Sequence, residues 1–258
     1  MTSRYNAQRS RNLYRPGDSK PYGLSRSKIE LFLQCPRCFF IDRRLGTGQP
    51  PGFPFTINNA VDGLLKKEFD RCREAGTPHP LQAAAGIDAI PAPHPLIDDW
   101  RENFKGVQAF HEATNLLISG AIDDLWIDAG GRYIVADYKA TARSEPVADV
   151  DKPWQAGYRR QMDVYQWLLR HNGLDVSDTA YFVYCTGRAN AAAFDARVEF
   201  DIRLIPYTGN DAWVEPALHD IHACLNQREI PVPGADCDFC AYADAVGGHL
   251  AGVQRSLL

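Results

Sequence analysis

Two Cys-x-x-Cys pairs stand near opposite ends of this 258-residue chain: "CPRC" carries Cys35 and Cys38, and "CDFC" carries Cys237 and Cys240. Four thiolates complete a tetrahedral zinc site or the ligand set of an iron–sulfur cluster. If one centre takes all four, the first helix and the C-terminal segment must fold side by side. Such a link closes a very long loop and constrains the unfolded chain. The cysteine total of seven is odd, and no apolar signal segment opens the chain. A reducing, cytoplasmic setting is therefore expected, where clustered cysteines serve metals rather than disulfides. Cys224 is a spare ligand candidate, whereas Cys72 and Cys185 read as buried thiols.

Between the two pairs the hydrophobic period changes twice. "SRSKIELFLQ" reads as a helix with a Ser27/Glu30 capping box, stopped or bent by Pro36. Residues 46–55, "GTGQPPGFPF", read as a loop; they lack the lysine and helix context of a phosphate-binding loop. Residues 57–76 place Val61, Leu64, Leu65 and Phe69 at helical spacing, with Gly76 as the stop. Residues 77–95 are rich in Pro and Ala and read as a long loop. "GVQAF", "NLLISGAIDDLWI", "RYIVADYKA" and "TAYFVYC" then read as strands, with a hairpin turn at "AGG" (129–131). Residues 153–173 predict a helix ended by Gly173, 196–206 a further strand and 210–227 a last helix. The order implies an α/β fold: a mixed central sheet with helices on both faces.

The charges inside the third strand are its odd feature. "IVADYKAT" sets Asp137 and Lys139 two residues apart, so both point to one face. Burying a carboxylate and an ammonium is costly unless they are paired or have a task. One hairpin upstream, "GAIDDL" offers Asp123, which a tight turn would bring beside Asp137. Two carboxylates suit a hard cation such as Mg²⁺, and Lys139 beside it could activate water or neutralise a phosphate. On the next helix Gln161 and Tyr165 stand at i and i+4, on the same face. Both can hydrogen-bond phosphates or bases, and Tyr165 can stack.

A net charge of −4 excludes a protein that coats nucleic acid by bulk positive charge. Residues 1–28, however, carry seven basic side chains against Asp18 alone, 7 − 1 = +6. Residues 1–22 are expected to be a basic, disordered arm able to contact phosphates, followed by one domain over 23–258. No apolar run reaches membrane-spanning length, so no membrane partner is expected. His219 and His222, at i and i+3, read as surface histidines, and His111 and Glu112 as edge-strand polars.

G-x-x-D, then D-x-K, then Q-x-x-x-Y, in this order, resemble the PD-(D/E)XK nuclease superfamily and its RecB-like branch, from about Leu24 to Ala241. The resemblance implies a restriction-endonuclease-like core and a Mg²⁺- or Mn²⁺-dependent DNA nuclease. It assigns metal binding to Asp123, Asp137 and the Tyr138 carbonyl, water activation to Lys139, and flanking roles to Gln161 and Tyr165. The family's early histidine or glutamate ligand is matched here by Asp62, with Glu68 a second candidate. The cysteine placement is similar to that of iron–sulfur nucleases of this branch, AddB-type and CRISPR-associated exonucleases among them. That likeness implies a 4Fe–4S cluster, with Zn²⁺ the alternative, and partners in recombination, repair or CRISPR-type defence. Those enzymes place one cysteine early and three late. This chain has two and two, with Val246 where a third late cysteine is expected.

Overall fold

The computed structural model describes Tyr5, residues 8–52 and residues 56–256, with side chains described as far as Ala251. Residues 1–4, 6 and 7 of the expected arm and 53–55 of the expected loop lie outside the described residues. The elements run β1 (Tyr22–Ser25), α1 (Arg26–Gln34), α2 (Pro36–Phe40), a π-helical turn (Ile41–Leu45), α3 (Thr56–Ala75), α4 (Pro80–Ala84), β2 (Ala89–Pro91) and α5 (Ile97–Arg101). There follow β3 (Val107–His111), β4 (Leu116–Gly120), β5 (Asp124–Asp128), β6 (Tyr133–Arg143), α6 (Ala156–His171), β7 (Thr179–Arg188), β8 (Phe200–Thr208), α7 (Val214–Asn226) and α8 (Asp238–Ser256). The fold is mixed α/β, as the alternation of periods implied. Its contacts divide it into two compact units.

The larger unit comprises residues 54–109 and 118–214. It holds a five-stranded sheet in the order β2-β5-β6-β7-β8. All neighbours are antiparallel except β6 and β7, which are parallel. A parallel pair needs a crossover, and α6 supplies it. Alternation along β6 then divides the labour between its two faces. Ala136 and Tyr138 join Leu65 and Phe69 of α3, Trp126 and Val183 in one buried cluster. Phe69 is at its centre, stacked on Trp126 at 5.5 Å and tilted against Tyr138 at 5.7 Å. Asp137 and Lys139 take the other face, where Gln161 of α6 bonds both. Helix α6 is buried without interruption from Gln161 to Leu169. It ends, as expected, at Gly173, whose φ of +80° a residue with a Cβ would resist.

The smaller unit comprises residues 1–53, 110–117 and 215–258. Its described part buries Leu24, Ile29 and Phe39 from the N-terminal segment, and Leu218, Ile221 and Leu225 along one stripe of α7. The arm residues described from Gln8 onward make specific bonds. Arg9 pairs with the buried Asp42 at 3.1 Å, a carboxylate that Lys28 of α1 also reaches at 2.8 Å, and Tyr14 is itself buried.

Several expected boundaries move. "NLLISGAIDDLWI" is two strands rather than one, because the chain leaves the ladder at 121–123 and Ile122 N–H bonds the Trp100 carbonyl instead. The expected loop 77–95 contains α4 and β2. Helix α4 is capped by His79, whose Nδ1 accepts from Leu81 N–H while Gln82 accepts from His79 N–H. The expected Ser27/Glu30 capping box does not form. Ser25 is the N-cap, and Glu30 accepts from Gln34 instead. Of the two expectations for Pro36, the stop is the one met: α1 ends at Gln34, Cys35 before the proline is extended, and Pro36 opens α2. Strand β1 and helix α8 were not anticipated.

Candidate active site

Asp123 stands just before β5, whose pairing with β6 begins at Asp124 and Ala136. Tyr138 N–H, past the last of those pairs, donates to Asp123 Oδ2 at 2.8 Å. The carboxylate thus replaces the missing strand and is anchored by the D-x-K strand itself. Asp137 is fully buried on the α6 side. Gln161 Nε2 donates to its Oδ1 at 2.8 Å, and Lys139 Nζ forms a close ion pair with Oδ2. Lys139 also donates to Gln161 Oε1 at 3.3 Å, and Gln161 Nε2 to the Tyr165 hydroxyl at 2.9 Å. One glutamine therefore fixes carboxylate, lysine and phenol together. The motif's glycine has a steric reason. A Cβ on Gly120 would lie 2.9 Å from the Tyr165 ring and 3.0 Å from Leu168.

The third carboxylate comes from α3. Lys66 Nζ is 3.0 Å from Asp62 and 4.0 Å from Asp123, so one ammonium lies between the two. Asp123 is pushed up to about 6, by burial first and then by the charge of Asp137, against Lys139, Lys66 and the Tyr138 amide. Burial and the charge of Asp123 raise Asp62 as well. Glu68, the other candidate from α3, approaches His79 at 3.5 Å.

Beside this cluster sits a residue that the motifs do not contain. Asp124 is fully buried, and its Oδ1 accepts from Arg73 at 2.5 Å, Arg101 at 2.6 Å and Leu125 N–H at 2.8 Å. Its Oδ2 accepts from the Tyr138 hydroxyl at 2.7 Å. Helices α3 and α5 and strand β6 are thereby tied to the residue next to Asp123. In "GAIDDL" the two aspartates look alike; only the preceding glycine and its spacing separate them. Lys66 was missed too, although it lies one helical turn from Asp62.

The chain matches the family model of the PD-(D/E)XK nuclease superfamily over residues 23–245. It belongs to that superfamily. Members are phosphodiester-hydrolysing nucleases that use divalent metals, and nucleic acid is their substrate. No match was found among curated proteins. Of the solved structures that match, one titled "Crystal structure of SSO0001" has 12% sequence identity and a TM-score of 0.36, over 81% of this chain and 80% of that one.

The four cysteines of the smaller unit converge, their sulfur atoms all within 4.8 Å of one another. Cys38 Sγ is 3.6 Å from Cys237 and 3.5 Å from Cys240, and Cys35 is 3.6 Å from Cys240. Cys35 Sγ accepts N–H bonds from Gly234 at 3.3 Å and Cys38 at 3.4 Å. Burial raises its pKa, but those amides and the neighbouring thiols outweigh burial and bring it down to about 7. Gly234 must be glycine, since a Cβ there would meet the Gln34 carbonyl at 2.1 Å. Cys224 lies outside the group; it is buried, and burial raises its thiol to about 11. His222 faces Tyr14 at 6.5 Å, whereas His219 meets His111 at 5.4 Å. Among the described helices, none is long and apolar enough to cross a membrane.

Proposed function

We propose that this protein is a RecB-like, divalent-metal-dependent DNA nuclease whose hydrolytic centre comprises Asp62, Asp123, Asp137, Lys139, Gln161 and Tyr165. The observation that carries the reading is geometric: the Tyr138 amide holds Asp123, Gln161 ties Asp137 to Lys139, and Lys66 lies 3.0 Å from Asp62 and 4.0 Å from Asp123. Asp62, Asp123 and Asp137 offer oxygen donors that suit Mg²⁺ or Mn²⁺ better than softer ions. A strand residue sends its N–H and C=O to the same side. Tyr138, whose N–H points at Asp123, therefore turns its carbonyl the same way and joins the set. A bound ion would polarise the phosphoryl oxygen and offset charge that builds up in the transition state. Lys139, oriented by Asp137 and Gln161, would position the attacking water and offset charge on the phosphate, while the bound ion would make that water more acidic.

An aromatic run extends outward from that lysine. The Lys139 ammonium lies 4.8 Å from the Tyr158 ring centroid, and Tyr158 meets the exposed Trp154 edge to face at 6.2 Å. Bases unstacked near the scissile phosphate would find a stacking surface here. For the cysteine centre, Zn–S bonds of about 2.3 Å hold tetrahedral sulfurs ~3.8 Å apart. In a 4Fe–4S cluster each thiolate binds its own iron, so the sulfurs stand further apart. Separations of 3.5 and 3.6 Å therefore support a single zinc ion over the cluster. A colourless protein whose four cysteines hold zinc and no iron is expected; a brown protein containing iron and sulfide would restore the cluster.

End-labelled single- and double-stranded DNA tests the activity. Wild type is expected to cleave in Mg²⁺ or Mn²⁺, and Lys139→Ala to be folded and inactive. Equal rates for the two would remove Lys139 from the mechanism. The second reading is a nucleic-acid-binding module with a decayed site, which the lack of a histidine ligand on α3 favours. Salt-dependent binding without cleavage under every metal would establish it.

A further inference from the structure

We propose a second metal site, for a borderline divalent transition ion of the zinc type, formed by His111, Glu215 and His219. The three side chains bring ligand atoms within 4.8 Å of one another, and all belong to the smaller unit. His111 closes β3, while Glu215 and His219 share one face of α7 at i and i+4. Two imidazoles with one carboxylate form a donor set well suited to zinc and poorly suited to Mg²⁺.

The partners of His111 strengthen the case. Its Nε2 is 2.8 Å from Glu215 Oε2, and its Nδ1 is 2.7 Å from the hydroxyl of the buried Thr114. Histidine ligands are commonly held in this way, with the second nitrogen bonded to a fixed polar group. A hydroxyl serves both tautomers. It donates to Nδ1 while Nε2–H is given to Glu215, and accepts from Nδ1–H once Nε2 is a ligand. Tetrahedral ligands at about 2.0–2.2 Å from zinc lie ~3.3 Å apart. The His111–Glu215 pair, at 2.8 Å, need open only slightly. The exposed His219 ring already lies edge-on to His111 at 5.4 Å and offers the third ligand. The ion would tie the end of β3 to a helix about a hundred residues further along the chain. A fourth position would be left for water.

Purified protein held in excess Mg²⁺, which occupies the carboxylate cluster, is titrated with Zn²⁺ against a chromophoric chelator. Zinc taken up by the four cysteines is common to all variants and cancels in the comparison. Wild type is expected to bind one more equivalent than His219→Ala or Glu215→Gln, both of which alter accessible side chains of a surface helix. Zinc should also raise the melting temperature of wild type more than that of either variant. Thr114→Val, which removes only the hydroxyl, should weaken that equivalent about tenfold or more. Identical zinc stoichiometry and identical thermal shifts in wild type and His219→Ala would overturn the proposal and leave the His111–Glu215 contact as a hydrogen bond without a metal.

Discussion

Neighbouring aspartates at the start of β5 do opposite work. Asp123 has one backbone donor and three nearby charges, and it keeps a pKa of about 6. Asp124 has two guanidiniums, a phenol and an amide, and no exposure. Removing the charge of Asp124 leaves the buried Arg73 and Arg101 to the more exposed Asp70, which pairs with them at 3.2 and 2.7 Å. Asp124→Asn is therefore expected to cost stability in urea unfolding, toward the low end of the about 3–5 kcal/mol of a broken buried pair. Lys66 makes a different prediction. Its ammonium already lies between Asp62 and Asp123, so an arriving cation competes with it. Lys66→Met should tighten Mn²⁺ binding in a calorimetric titration by about tenfold, the equivalent of ~1.4 kcal/mol. Unchanged or weaker binding would mean that Lys66 supports the ion rather than standing in for it.

Elements position these residues, and the elements differ in how plainly they were written in the sequence. Helices α3 and α6 were legible because their apolar residues recur at helical spacing and a glycine ends each. Strand β6 was legible from its flanking apolar run. The break between β4 and β5 was not, because Ala121 and Ile122 continue the apolar pattern and only the tertiary bond to Trp100 diverts them. Helix α8 carries Gly247 and Gly248 in its interior, which local propensity reads as a breaker. The capping box of α4 uses a histidine, outside the usual cap vocabulary. That cap carries a pH dependence. Burial lowers the pKa of His79 below its ordinary 6.5, against the pull of Glu68. Its ring stacks on Phe69 at 4.1 Å, and a proton on Nδ1 would abolish the bond from Leu81. The unfolded chain therefore takes up the proton first, so this contribution is present above the ordinary histidine range and lost as pH falls through it. Melting temperatures between about pH 7 and pH 5.5 should fall more steeply for wild type than for His79→Asn, which keeps a capping oxygen without the titration. Parallel slopes would remove His79 as a source.

At the scale of the whole molecule, chemistry and clamp are separate. Every residue assigned to hydrolysis lies within 54–109 or 118–214, while all four clamp cysteines belong to the smaller unit. That unit is discontinuous: residues 1–53, 110–117 and 215–258 must be gathered from three parts of the chain. A metal held by Cys35, Cys38, Cys237 and Cys240 would join the ends of the chain, and its binding energy would offset the entropy of bringing distant segments together. A centre lost from the folded state should then cost stability without removing a catalytic group. Cys240→Ser is expected to release the metal and to lower the melting temperature, by about 2–4 °C for each kcal/mol the centre contributes. DNA cleavage at low temperature should persist in that variant, and it should still be abolished by adding Lys139→Ala. The comparison separates two roles that metal analysis of wild type alone would merge. If Cys240→Ser melts normally yet cannot cut DNA, the cysteine centre belongs to the chemistry, and the division of labour between the units must be redrawn.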